Sequence, residues 1–367
     1  PKNLFSLIMQ NNQAIPFNKE NFKQILSKEF AWVIIVSIPG AFIAEYFAIP
    51  LAWFLGPMLV TSIVTLGGLK TKMPKLVLSI VLIFLGLYIG NYVDKSLFSK
   101  INEWIWTSLI MLIYIVVSVL LVSKYLQKFS GYGKKTSIFS AAPGALGPLL
   151  ILAEDEKSDL SQVATSHLIR LIIIITVFPF IVNSFYDVDS TNVAETLIES
   201  QDNIDLLILI FLSIIFIILF DKFKIPAALL AGTLVASGLL QITDIASYKL
   251  PPNIIDFCLL ILGASVGCRF ADKTFKEIAK NSLHSFVATL LLVLLGLIAA
   301  FFAGLVIEKN FFTLLLSYCP GGIYEVAVIA IFFDLDPEFV SFHHIIRLLL
   351  ILFIVPIILK ILNRNIR

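Results

Sequence analysis

The residues with chemical capability stand where this chain is most apolar. Within FFTLLLSYCPGGIYEVAVIAIFFD (Phe311 to Asp334), Pro320, Gly321 and Gly322 interrupt the run and Glu325 follows close behind. Arg347 lies 27 residues after Pro320, His344 stands three before the arginine, and His343 shares that helical face. A second set, Pro143, Gly144, Ala145, His167 and Arg170, repeats this spacing, but carries Pro148 where the other has Glu325. Arginine can clamp an anion through paired hydrogen bonds, and carboxylate and imidazole can hold a proton. The same groups can also serve only one another, an arginine capping carbonyls or pairing with Glu325. The adjacent histidines lack metal-type spacing and no dinucleotide fingerprint is present, so oxygen chemistry has no cofactor to run on.

Proline and glycine explain where these groups sit. Proline removes a backbone donor and clashes with the preceding turn, while glycine lets the chain turn sharply. A broken helix at membrane depth survives only where protein buries it or where it lines a wet cavity. Half-helices starting after Pro143 and Pro320 would present free N–H groups with a partial positive charge. Two such ends facing each other describe the solute site of many secondary transporters.

The elements that position these groups are membrane helices. The chain of 367 residues is 59% hydrophobic and 14% charged, with a mean hydropathy of +0.96, against roughly a quarter charged in soluble domains. A span needs about 20 apolar residues. Twelve segments qualify, near 32–48, 50–68, 73–91, 104–122, 135–152, 163–183, 203–220, 226–243, 250–268, 284–307, 311–333 and 339–361. The expected division is a cytoplasmic segment 1–31, a first membrane repeat 32–183, an acidic linker 184–202 and a second repeat 203–367. Cys258, Cys268 and Cys319 form no disulfide framework. The charges flank the membrane segments, and nothing is long or basic enough to bind nucleic acid.

Segments one to six return as seven to twelve. IPLAWFLG (Ile49 to Gly56) returns as IPAALLAG (Ile225 to Gly232), preceded by Glu45 and Asp221. Gly86-x-x-x-Gly90 returns as Gly263-x-x-x-Gly267, a pattern of close helix packing. Pro143, His167, Arg170 and Pro179 return as Pro320, His344, Arg347 and Pro356. Cytoplasmic loops carry the excess of Lys and Arg. With twelve crossings, the loop holding Arg269, Lys273, Lys276 and Lys280 falls on the wrong face. If one segment per copy fails to cross, the second copy inverts and that loop turns inward. The fifth and eleventh segments, which hold the breaks, are the best candidates. The expected fold is all-α and polytopic: two inverted repeats, each of five transmembrane helices plus one broken or re-entrant segment, both termini cytoplasmic.

The modules SAAPGALGPLLILAEDEKSDLSQVATSHLIR and SYCPGGIYEVAVIAIFFDLDPEFVSFHHIIRLLLILFIVP, with IPLAWFLGPML near the start, resemble the AbrB family of membrane proteins. The likeness runs from about residue 30 onward. Members of that family are labelled transporter, regulator or ammonia monooxygenase, and the family pattern carries Pro-Gly-Gly and Glu in both modules. The first module here departs from it at Ala145 and Pro148. The expectation from residues and resemblance together is a secondary transporter in the inner membrane, not an enzyme, working on a small anionic solute such as a carboxylate. Pro143, Gly144, Ala145, Pro320, Gly321, Gly322, Arg170 and Arg347 would bind the solute; Glu325, His167 and His344 would couple it to H⁺ or Na⁺. No other cofactor is expected, and a homodimer fits by fold analogy. The competing class is a membrane-embedded ligand sensor that regulates without transport.

Overall fold

The structure, a computed structural model, describes residues 19–93, 97–144, 146–185, 203–243, 252–271 and 273–364. All regular elements among them are helices. In the first half these are α1 (Lys19–Ile25), α2 (Lys28–Tyr46), α3 (Ala52–Leu66), α4 (Lys75–Gly90), α5 (Leu97–Phe129), α6 (Lys134–Ala141), α7 (Leu146–Asp155) and α8 (Leu160–Phe185). The second half continues with α9 (Asn203–Lys222), α10 (Ala228–Thr243), α11 (Pro252–Cys268), α12 (Phe275–Gly304), α13 (Phe311–Tyr318), α14 (Ile323–Phe332) and α15 (Pro337–Arg364). Apart from α1, each element of the first half has its counterpart in the second. Linker residues 186–202 and Ala145 lie outside the described residues.

The Ile-Pro stretches build one turn twice. Ala48 and Leu51 flank Ile49-Pro50 in left-handed conformation, with φ of 49° and 55°; Lys224 and Ala227 flank Ile225-Pro226 at 59° and 56°. Left-handed backbone is uncommon outside glycine, so its recurrence at matching positions marks a copied geometry. In each turn the isoleucine N–H donates back across the helix end, Ile49 to Ala44 O and Ile225 to Phe220 O, both at 2.9 Å. This is the six-to-one bond that closes a helix on a left-handed residue. A third pair, Lys157 and Asp334, repeats it at φ 55° and 51° after the broken segments.

Packing exchanges the copies. Helix α3 lies along α11, and α10 lies along α4; α12 packs on α8, and α15 on α5. Glycines make the first two crossings close. A Cβ at Gly86 or Gly90 would run into backbone of α10, at Leu230 and Leu234; at Gly263 or Gly267 it would run into α3, at Phe54 and Ser62. The Gly-x-x-x-Gly pattern therefore does what its spacing predicts.

Among the described residues, five helices are long and apolar enough to cross a membrane: Lys28–Tyr46, Trp104–Phe129, Leu160–Phe185, Ser282–Gly304 and Pro337–Ile361. Helices α3, α4, α10 and α11 are apolar but shorter. Large apolar side chains stand outward on these elements, among them Ile35, Phe42, Phe211, Leu294 and Phe301. In water such a surface would be an interaction site; around a polytopic bundle it is what lipid covers.

The fifth and eleventh segments are each a hairpin. At the mouth of the first, Lys135 Nζ pairs with Glu156 Oε2 at 2.5 Å and Asp159 N–H donates to Thr136 Oγ1 at 3.1 Å. At the mouth of the second, Lys309 Nζ pairs with Asp336 Oδ1 at 2.8 Å and Thr313 Oγ1 donates to Asp336 Oδ2 at 3.3 Å. Start and end of each segment thus meet on one face. The first limbs, α6 and α13, have 8 residues each, about 12 Å.

The glycine crossings predict a stability effect. Gly263→Leu should cost about 1–3 kcal/mol by overpacking, because Phe54 Cα stands 3.2 Å from the new Cβ. Gly304→Ala, whose nearest neighbour would be a leucine methyl at 3.5 Å, should stay within about 0.5 kcal/mol of the parent. Thermal unfolding of both variants in detergent checks this; equal losses would remove the close-packing argument.

Candidate solute-binding site

A helix that stops inside a membrane leaves its last carbonyls without donors. Both first limbs stop this way, α6 at Ala141 and α13 at Tyr318, and in both the donors come from the long helix that follows. Arg170 on α8 donates through Nη1 to Ala142 O at 2.6 Å and through Nη2 to Ser140 O. Arg347 on α15 donates through Nη1 to Cys319 O and through Nη2 to Gly321 O at 2.5 Å. The histidine one turn earlier extends the cap. His167 Nε2–H donates to Phe139 O and His344 Nε2–H to Leu316 O, each at 2.9 Å. The His-x-x-Arg spacing places both side chains over one turn of the preceding half-helix, which is why the two residue types recur together.

These bonds fix the state of His344. An arginine can only donate, so Nη2 of Arg347, 3.1 Å from His344 Nδ1, holds that nitrogen as an acceptor. The imidazole is neutral, with its proton on Nε2. His343 has a different partner: its Nε2 meets Thr107 Oγ1 of α5 at 2.8 Å and its Nδ1–H donates to Phe339 O at 2.9 Å. Arg170 and Arg347 are each 2% exposed. Their Nε atoms are the donors left over, buried and without a partner.

The two breaks meet. Gly144, at φ 105°, leaves space that the Arg347 guanidinium occupies: a Cβ there would stand 3.0 Å from Nη2. Between the hairpin tips lies a cavity of about 480 Å³. Gly144, Pro148, His167 and Arg170 line it from the first copy, and Pro320, Gly321, Gly322, Glu325, Lys224 and Arg269 from the second. Pro143 and Arg347 stand behind this wall, and His344 behind Arg347. Helix α14 begins at the cavity wall, where the Glu325 carboxylate folds back over Gly322, its Oε2 in the space that a Cβ would need, beside the positive end of the helix dipole.

Glu325 has a partner that its sequence surroundings do not suggest. Its Oε1 accepts from Arg269 Nη2 at 2.7 Å, rather than from Arg347. Arg269 is therefore not simply one of the loop cations with Lys273, Lys276 and Lys280; it follows α11 and reaches inward. The carboxylate is 1% exposed and the guanidinium 30%, so the pair joins a buried group to one that still sees solvent. The sequence does carry a signal of this pairing. Arg269 matches Tyr92 of the first copy and Glu325 matches Pro148, so both ends of the ion pair arise in the same half. Lys224 makes no ion pair among the described residues and lies at the left-handed turn before α10. Three cationic side chains thus face one carboxylate.

These features define a polytopic helical membrane protein with two broken-helix hairpins meeting at a charged cavity. The chain belongs to the AbrB family: the family description "Transition state regulatory protein AbrB" matches residues 3–98 and 68–363. It is similar to "Uncharacterized protein YhjN" of Bacillus subtilis (strain 168), 23% identical over 358 residues that cover 89% of this chain and 91% of the relative. It is equally similar to "Putative regulator AbrB" of Escherichia coli (strain K12), 23% identical over 318 residues, 85% of this chain and 90% of the relative. No solved structure matches.

The capping geometry makes its own forecast. Lysine offers a point charge in place of a planar fork, so Arg170→Lys or Arg347→Lys should leave a buried carbonyl unpaired and cost about 1–3 kcal/mol. Unfolding of the solute-free protein measures this, and a loss below about 0.5 kcal/mol would show that the arginines do not hold the breaks.

Proposed function

We propose that this AbrB-family protein is a secondary transporter of a small anionic solute, driven by H⁺ or Na⁺. One observation carries the reading: the cavity between the two hairpin tips, where Lys224, Arg170 and Arg269 outweigh the single charge of Glu325. An excess of cationic donors suits a carboxylate or a similar oxyanion.

The hairpins bear on topology. Segments that return to their own side leave five crossings per copy, an odd number, so the second copy is inverted with respect to the first. With both termini cytoplasmic, that arrangement puts most loop Lys and Arg inside, as membrane insertion favours. Inverted halves around a shared site allow alternating access by rocking one bundle against the other. In this scheme Pro143 and Pro320 make the breaks, and Arg170 and Arg347 hold them, Arg170 from the cavity wall. His167 and His344 brace the arginines, and Glu325 couples.

The name of the Escherichia coli relative supports a second reading, a membrane sensor that binds the same solute without moving it. Two measurements separate the outcomes. Small anions, small cations and neutral solutes are first screened for thermal stabilisation in detergent. A ligand of the folded state at 100 times its Kd adds about 2.7 kcal/mol, a shift of about 2–4 °C. Stabilising solutes are then offered to proteoliposomes under an imposed pH or Na⁺ gradient. Binding with gradient-driven uptake is expected. Binding without uptake supports the sensor, and stabilisation by cations alone overturns the assignment of solute charge.

A further inference from the structure

We propose that Arg269 is the solute's anchoring residue and that Glu325 is its internal competitor. A small monocarboxylate would displace the Glu325 carboxylate from Arg269, and the freed carboxylate would take up one proton. This rests on the transporter reading above and deepens it, naming the solute class, the coupling ion and the stoichiometry.

The ion pair is built for exchange. Arg269 Nη2 holds Glu325 Oε1 at 2.7 Å as a single contact, while a guanidinium can offer two parallel bonds to a carboxylate. Its other nitrogens have no protein partner among the described residues. Arg269 is 30% exposed and borders the cavity, so an incoming anion reaches the partner that Glu325 occupies. Arg170 and Arg347 are less available, because their terminal nitrogens already serve backbone carbonyls. What they leave unpartnered are buried Nε atoms, and Arg170, which lines the wall, can turn its Nε toward a second oxygen of the solute.

Charge balance sets the coupling. The groups facing Glu325 are Arg269 after α11, Lys224 before α10, Tyr324 beside it, and His167 with Arg170 from α8; Arg347 and His344 lie behind the tip on α15. Before binding, one carboxylate sits on Arg269. Afterwards the solute carboxylate takes that place, and a Glu325 that stayed ionised would be a buried charge without its ion-pair partner, held only by the start of α14 at Gly322 and beside a like charge. Such a group neutralises rather than remain charged. The step balances: solute anion and one proton enter, the Glu325–Arg269 contact breaks, the solute–Arg269 contact forms, and Glu325 ends as a neutral acid. A site with one displaceable carboxylate takes one carboxylate, and about 480 Å³ accommodates a small organic acid.

The test uses the full chain in detergent with acetate, lactate, pyruvate and benzoate as probes, and chloride and succinate as comparisons. Affinity is read by thermal shift, and proton uptake by a pH indicator in weak buffer. The wild type should bind at least one monocarboxylate, take up about one proton per anion, and bind about tenfold less tightly per pH unit above neutrality. Glu325→Gln should bind the same probe at least tenfold more tightly at pH 8, with no proton uptake and a flat pH profile. Arg269→Gln should lose binding at least tenfold, whereas Gln at Lys224 should weaken it less. A structural role for Glu325 would lower stability without altering proton uptake. The exchange is overturned if Glu325→Gln keeps wild-type proton uptake, or if Arg269→Gln binds as the wild type does. Binding and gradient-driven transport that survive either result would leave the transporter reading standing. Wild-type protein that binds only succinate or chloride overturns the monocarboxylate assignment, and wild-type protein that binds no anion sinks both readings.

Discussion

A backbone carbonyl inside a membrane must have a donor, and much of this architecture follows from that. Breaking a helix near the bilayer centre exposes the last turn of its first limb, where neither water nor lipid can serve it. The remedy here is an arginine and a histidine carried on the next full-length helix, 26 to 30 residues after the carbonyls they reach. An arginine so deep is costly alone, and a broken helix is costly alone. Each removes the other's penalty, so neither the break nor the His-x-x-Arg module is tolerable without its mate.

That mutual requirement explains how much could be read beforehand. Proline, glycine, histidine and arginine advertise themselves in an apolar chain because each is unfavourable there, and their common offset exposed the duplication. The glycine pairs likewise announced close crossings, which Gly86 and Gly263 make. What stayed hidden was of two kinds. Which arginine meets Glu325 depends on how the end of α11 folds over α14, and linear spacing cannot show that; Arg269 looked like the start of a cytoplasmic loop. Whether Arg170 and Arg347 face the solute or the backbone depends on where four terminal nitrogens point. Identical residue types serve either purpose.

The two halves agree in scaffold and differ in chemistry. Turns, hairpins and crossings recur at matched positions, and Arg170 and Arg347 share one capped position, Ala142 and Cys319, while their second carbonyls differ, Ser140 against Gly321. The charged pair does not recur: Glu325 and Arg269 stand where the first half has Pro148 and Tyr92. Duplication supplies a frame in which two breaks face each other, and the charged pair belongs to one copy alone. Because both of its members stand in the same half, neither is an uncompensated buried ion.

The exchanged packing of α3 with α11 and of α10 with α4 has a consequence for where this chain can be divided. Each half lends its glycine-bearing helix to the other, so a cut between the halves would bare both seams at once. The two halves therefore stand or fall as a single unit.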